Sequence, residues 1–147
     1  MLEILQFIAT LACLLFSGAA LYINLVEHPA RMGCSTELAA TQWAPSYARA
    51  TLMQAPLALI SFVCGVGAWW LGAGTPWLVA AICILLVVPF TLVIMGPRIN
   101  KPLLAPGRDL GSPQTRALLV RWGRYHAVRS LLGLVASAIF LWQLVET

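Results

Sequence analysis

The sequence predicts an all-α fold, an integral membrane four-helix bundle with helical extensions on the cytoplasmic side. Of the 147 residues, 61% are hydrophobic and only 10% are charged, whereas a soluble domain carries roughly 25% charged residues. The mean hydropathy is +0.87. Four apolar stretches, at about residues 4–26, 50–71, 77–95 and 127–145, each approach the ~20 residues that span a bilayer as a helix. We therefore expect a single transmembrane domain over residues 1–147.

The first apolar stretch begins directly after Met1, Leu2 and Glu3. A secretory signal peptide needs a basic N-terminal region and a shorter apolar core, so we interpret this stretch as a retained transmembrane helix. We expect Pro29 to end or kink it, because the residue before a proline is pushed away from helical angles. Ser35 can then cap a new helix that runs into the second span.

The second and third spans are separated only by residues 72–76. This short turn predicts an antiparallel helical hairpin, with Thr75 as the N-cap and Pro76 as the first helical residue. The connection after the third span contains prolines at positions 97, 102 and 106, which are expected to preclude a regular element there. Ser112 and Pro113 then offer a cap and a first turn, and the pattern predicts an unbroken helix from there to Val145.

The nine Lys and Arg residues predict the orientation. They lie in the first and third connections and at the start of the last span. The positive-inside rule then places both long connections in the cytoplasm and both termini outside, in the inner (plasma) membrane if the source is bacterial. Because this asymmetry explains the net charge of +4, we expect no nucleic-acid partner. Four tryptophans are expected to form an aromatic belt at the outer interface: Trp69, Trp70, Trp77 and Trp142.

Polar residues gather at the cytoplasmic end of three predicted helices, and each set follows the spacing that lines one helix face. The sets are Asn24, Glu27, His28 and Arg31 at the end of the first helix, Trp43, Tyr47 and Gln54 on the second, and Trp122, His126 and Arg129 on the fourth. Helical bundles build their sites from residues on facing helices. We therefore predict a polar pocket that opens at this end, above the apolar spans.

Each set also has a simpler interpretation. Arg31 is equally typical of an interfacial anchor, and Trp43 and Trp122 of belt residues. The histidines differ, because the chain has only two and ionisable groups within a membrane indicate function. Glu27 next to the bilayer needs a partner, which Arg31, Arg129 or a histidine would supply.

Four motifs follow one another along nearly the whole chain: Asn24-x-x-Glu27-His28-Pro29-Ala30-Arg31, Trp43-x-Pro45-x-Tyr47-x-Arg49 with Gln54, Asn100-x-x-Leu103, and Arg121-Trp122-x-x-x-His126-x-x-Arg129. Taken together, they resemble the motifs of the anthrone oxygenase family, small four-span membrane proteins. The resemblance implies an oxygenase without a cofactor that converts a lipophilic polycyclic anthrone into an anthraquinone with molecular oxygen.

That chemistry requires a base, hydrogen-bond donors for the enolate and peroxide oxygens, and a dry apolar pocket. We expect His126 to be the base, with Glu27 placed to orient it or to replace it. The candidate donors are Asn24, Arg129, Trp122 and Tyr47. The candidate substrate contacts are His28, Arg31, Trp43, Gln54 and Asn100.

Other functions remain open. A metal- or haem-dependent membrane oxidase would use Glu27, His28 and His126 as ligands, because imidazole and carboxylate suit iron or copper. A small proton-coupled transporter is expected to carry a carboxylate near the middle of a span, and no predicted span has one. A non-catalytic membrane subunit would leave the three polar faces scattered. The expected partners are the lipophilic substrate, O2 and membrane lipid, and small residues on the helices leave a homo-oligomer open.

Overall fold

Four long helices make up the computed structural model, which describes residues 1–146. They are α1 (Leu2–Met32), α2 (Thr36–Ala73), α3 (Thr75–Leu103) and α4 (Pro113–Glu146), and no strand occurs over this range. All four are long and apolar enough to cross a membrane. The all-α fold is therefore confirmed. Since α2 and α4 begin well before residues 50 and 127, the bundle continues beyond the predicted spans at the end where these helices begin, which we call the polar end.

Helix α1 passes through Pro29, so of the two predicted outcomes, an end or a kink at this residue, an end is wrong. Residues Ile23–Glu27 form a π-helical segment, and an α-helix follows over His28–Met32, with Gly33 as its C-cap. A proline ring clashes with the carbonyl four residues earlier in a regular α-helix. The wider π turn changes the spacing of carbonyls just before Pro29, and the helix can continue. Such π segments often occur at functional sites.

The predicted N-caps at Ser35 and Ser112 are confirmed. Each hydroxyl accepts a hydrogen bond from the backbone N–H three residues further on, at 3.3 and 3.2 Å. The predicted cap at Thr75 is wrong, because Gly74 is the N-cap and Thr75 is already helical. Gly72 and Gly74 have φ angles of 93° and 97°, which favour glycine. These two glycines form the turn, and α3 begins one residue earlier than expected.

Helix α3 continues past Pro97 and Pro102, where we expected no regular element. A turn at Leu86 interrupts it, a π-helical segment over Phe90–Asn100 contains Pro97, and a last α-helical turn covers Lys101–Leu103. The irregular connection is thus limited to residues 104–112.

Small side chains fill the half of the bundle away from the polar end. Its buried alanines are Ala9, Ala12, Ala20, Ala58, Ala68, Ala80, Ala81 and Ala136. At Gly133 of α4 an added Cβ would lie 2.7 Å from Ser17 Oγ of α1, so these two helices approach closely. Small residues permit such close helix contacts in membranes. The packing makes this half a rigid base for the polar end.

Trp77 belongs to this core. It is fully buried, and its ring centroid lies 5.1 Å from that of Phe140. Its assignment to an outer belt is therefore wrong, whereas Trp70 and Trp142 are exposed. Sequence position alone did not reveal that Trp77 faces the neighbouring helix.

Candidate active site

His126 of α4 is held in place by Asn24 from the π segment of α1. Its Nδ1 lies 2.7 Å from Asn24 Oδ1, and Ser130 Oγ donates to the same oxygen at 2.5 Å. Asn24 Nδ2 donates to the backbone oxygen of Gly123 at 3.1 Å, which fixes the orientation of the amide. Because an amide oxygen only accepts, Nδ1 of His126 carries the hydrogen. The neutral ring then has its lone pair on Nε2.

His126 is 1% exposed and lines a small cavity. The cavity has a volume of about 10 Å³, close to what one water molecule requires. Tyr47, Gln54, Trp122 and Arg129 also line it, so the predicted faces of α2 and α4 meet here. Over residues 1–146 the Nε2 atom has no hydrogen-bond partner within the protein. The site therefore contains an oriented imidazole with a free accepting nitrogen.

His28 has both ring nitrogens engaged. The carbonyl of Leu119 lies 3.1 Å from Nε2, and Arg31 Nη1 lies 3.2 Å from Nδ1. A carbonyl only accepts and a guanidinium only donates, so Nε2 donates and Nδ1 accepts. The ring also packs against Trp122, with 5.1 Å between the centroids. His28 thus links α1 to α4, and its contact with substrate stays a prediction.

Glu27 faces α2 and forms an ion pair with Arg31. Its Oε1 also accepts from Ser46 Oγ and, at 3.4 Å, from Gln42 Nε2. The expectation that Glu27 orients His126 is wrong, because Arg31 lies one turn further along the same helix and α2 supplies the other partners. Sequence reasoning missed Gln42 and Ser46. Their spacing of four residues, immediately before Trp43 and Tyr47, was the signal that could have revealed them.

Arg129 and Gln54 form a buried pair between α4 and α2, with Arg129 Nη2 donating to Gln54 Oε1 at 3.0 Å. Within the described chain, Arg129 Nε and Gln54 Nε2 have no hydrogen-bond partner, and the same holds for the indole nitrogens of Trp43 and Trp122. A buried polar group without a partner costs about 1–3 kcal/mol. Gln54, Trp122 and Arg129 line the cavity that contains His126, so their free donors are placed for a ligand that accepts hydrogen bonds.

Three aromatic rings pack against one another beside the cavity that contains His126. Tyr47 stacks on Trp43, with 5.1 Å between the centroids and 9° between the planes, and Trp122 meets Trp43 edge to face. The hydroxyl of Tyr47 accepts from Asn100 Nδ2 at 3.1 Å, so its own hydrogen remains available for a ligand. Oδ1 of Asn100 has no partner within residues 1–146.

The three alternative metal ligands are each bonded to other groups of the protein. Glu27 binds Arg31 and groups of α2, His28 binds Arg31 and Leu119, and His126 binds Asn24. Over residues 1–146, no three His, Cys, Asp or Glu side chains lie close enough together to hold a metal ion.

Comparison with known proteins identifies the family. The sequence model described as anthrone oxygenase matches residues 43–139. The chain belongs to the anthrone oxygenase family. Tyr47, Gln54, Trp122, His126 and Arg129 lie within the matched range, whereas Asn24 precedes it.

Two curated relatives carry the same family name. Anthrone oxygenase tpcL of Aspergillus fumigatus is 39% identical over 82 residues, which are 51% of this chain and 48% of that protein. Anthrone oxygenase ptaC of Pestalotiopsis fici is 32% identical over 120 residues, 69% of this chain and 82% of that protein. The first match thus spans about half the length of the relative. No solved structure matches the chain.

Proposed function

We propose that this chain is a membrane-embedded oxygenase that oxidises a lipophilic, anthrone-like substrate with molecular oxygen, using a protein base and no cofactor. The observation that carries the proposal is the arrangement around His126. Asn24 fixes the ring so that Nε2 is free, and the nearby donors of Gln54 and Arg129 have no acceptors of their own. The family and the names of both relatives support the reaction class.

The first step is removal of a proton from the benzylic carbon opposite the anthrone carbonyl. Nε2 of His126 accepts this proton, and Asn24 Oδ1 stabilises the resulting imidazolium through the Nδ1–H bond. The electron pair left on the substrate spreads to the carbonyl oxygen as an enolate. The free N–H groups of Gln54 and Arg129 would donate to that oxygen, where buried donors stabilise developing charge most strongly.

The electron-rich enolate then transfers one electron to dioxygen, and the substrate radical and superoxide combine to form a C–O bond. The peroxide takes back the proton held by His126. Removal of the second benzylic proton forms the new carbonyl while the O–O bond breaks and hydroxide leaves, joining that proton as water. One anthrone and one dioxygen thus give one anthraquinone and one water, so no external reductant is needed.

We propose that the polar end faces the cytoplasm and both termini lie outside. The support is the distribution of cations, since Lys and Arg lie in the parts of the four helices nearest the polar end and in the connection between α3 and α4. At this end Arg116 joins α4 to the end of α1 and to the connection after it, by donating to the backbone oxygens of Met32 and Cys34. A substrate of fused aromatic rings partitions into membranes, which brings it to the bundle. Whether copies of the chain associate stays a prediction.

The test is oxygen consumption and anthraquinone formation by purified protein with anthrone. His126→Ala should lower turnover by ~10²–10⁴, the usual contribution of a general base, because no other group at the cavity has the free accepting nitrogen. Ser137→Ala is the matched control: it removes a buried, hydrogen-bonded side chain three turns further along the same helix. This control should retain turnover, and equal turnover in both variants would contradict the proposal.

The same assay separates the proposal from a metal-dependent oxidase. Treatment with a strong chelator should leave turnover unchanged, and the protein should show no haem or flavin absorbance. Activity that is lost on chelation and restored by iron or copper would refute the mechanism without a cofactor. Glu27, His28 and His126 would then have to be examined as ligands.

A further inference from the structure

An apolar pocket of about 200 Å³ lies beside the small cavity that contains His126. The two spaces share four lining residues: Tyr47, Thr51, Gln54 and Arg129. The remaining walls of the larger pocket are apolar apart from Thr91 and come from α1, α2 and α3. The hydrogen bond from Arg129 to Gln54 therefore lies at the boundary between an apolar space and the oriented imidazole.

The pocket has a buried floor and an exposed mouth. Ala58 and Val87 at the floor are 1% and 2% exposed, whereas Leu92 is 69% exposed and Ala55 is also exposed. The mouth thus opens sideways between α2 and α3, where both helices present apolar side chains to their surroundings. A molecule dissolved among lipid chains would enter there without crossing the polar end.

The interruption of α3 shapes one wall of this pocket. The turn at Leu86 lies directly before Val87, and the π-helical segment begins at Phe90. Thr91 Oγ1 donates to the backbone oxygen of Val87 at 2.7 Å, so the threonine hydroxyl is satisfied locally. The unsatisfied polar groups of the pocket consequently lie on the opposite side, at Gln54 and Arg129.

We propose that the fused rings of the substrate bind in this pocket, and that the substrate enters it sideways from the membrane between α2 and α3. The proposal rests on the proposed function and adds to it the binding pocket and the route of entry. The ketone oxygen accepts from the free N–H groups of Gln54 and Arg129. The rings occupy the apolar space.

Gln54 and Arg129 also form the partition that the substrate must pass to reach His126. Their mutual hydrogen bond uses one donor of Arg129 and the only acceptor of Gln54. A ketone oxygen offers a replacement acceptor, so binding exchanges this bond for bonds to the ligand and opens the partition. Substrate contact and access to the base are thereby coupled.

A substitution that narrows the mouth of the pocket and leaves its polar residues unchanged tests the proposal. Ala55→Phe places a large ring at an exposed position, so the core is not disturbed. Ala48→Phe is the matched control, because it makes the same change at an exposed position of the same helix that lines no part of the pocket. Anthraquinone is the binding probe, since it carries the ketone but is not oxidised. Binding to protein in detergent is measured by equilibrium gel filtration.

Ala55→Phe should weaken anthraquinone binding ~10-fold or more, a typical effect of changed fit in an apolar pocket, and should raise KM for anthrone with little change in kcat. Ala48→Phe should bind like the unaltered chain. The proposed pocket would be contradicted if both variants bound anthraquinone equally well, if both were weakened equally, or if the unaltered chain did not bind it. If Ala55→Phe selectively weakens binding but the unaltered chain does not oxidise anthrone, the pocket stands and the proposed function fails.

Discussion

Gly123→Ala tests the packing that holds the polar end together. Gly123 lies within α4, where alanine would normally stabilise the helix by about 0.5–1 kcal/mol relative to glycine. Here the added Cβ would lie 2.6 Å from His28 Cδ2 and 2.7 Å from His28 Nε2. Both distances are far below van der Waals contact, so the ring or the helix must move.

The cost follows from the contacts of His28. Overpacking of this kind costs about 1–3 kcal/mol, and displacing the ring weakens its bond to the Leu119 carbonyl, worth about 1 kcal/mol. Subtracting the gain in helix propensity leaves a net loss of about 1–3 kcal/mol in the free energy of unfolding. The carbonyl of Gly123 also anchors Asn24, so the same change should lower kcat.

Gly18→Ala is the matched control. It makes the same substitution within α1, where a Cβ would meet nothing within 4 Å, and it should stabilise the chain by about 0.5–1 kcal/mol. Unfolding of both variants is followed by circular dichroism in detergent with increasing denaturant. If Gly123→Ala stabilises the chain as Gly18→Ala does, the contact between His28 and α4 is wrong.

Two further predictions concern the charge at the site and the orientation of the bundle. Arg129→Ala should lower kcat/KM for anthrone by ~10²–10³, the effect of losing one donor to a developing oxyanion, and unchanged kcat/KM would contradict that role. Cys34 is an exposed thiol at the polar end, so a membrane-impermeant maleimide should label it only after the cytoplasmic face is opened, and labelling of intact cells would refute the orientation.

Helix position and the grouping of polar residues could be predicted from the sequence because both depend on local spacing. Tyr47 and Gln54 share a face wherever their helix packs, and the caps at Ser35 and Ser112 depend only on neighbouring backbone groups. The expectations of an end at Pro29 and of no regular element at Pro97 were wrong because they, too, rested on local rules. They describe a regular α-helix, whereas packing in this bundle stabilises π segments that carry the chain through Pro29 and Pro97.

Partner choice within the site depends on tertiary structure and could not be predicted. Asn24 and Glu27 lie three residues apart, yet Asn24 binds His126 of α4 whereas Glu27 binds Arg31 and Ser46. The π segment between Ile23 and Glu27 changes the angular spacing of these side chains. Of the partners expected for Glu27, the structure confirms Arg31, whereas His126 is oriented by Asn24 instead.

Hydrogen-bond satisfaction separates the structural polar residues from those available to a ligand. His28 and Glu27 both bond to Arg31 within α1. His28 also bonds to Leu119 of α4 and Glu27 to Ser46 of α2, and these bonds stabilise the arrangement of the three helices. Gln54 and Arg129 are buried but retain free donors, each at a cost of about 1–3 kcal/mol. A fold that needed these two residues only for packing would gain stability from apolar replacements. Their cost is offset when a ligand oxygen accepts both hydrogens, and the oriented Nε2 of His126 lies at the same cavity.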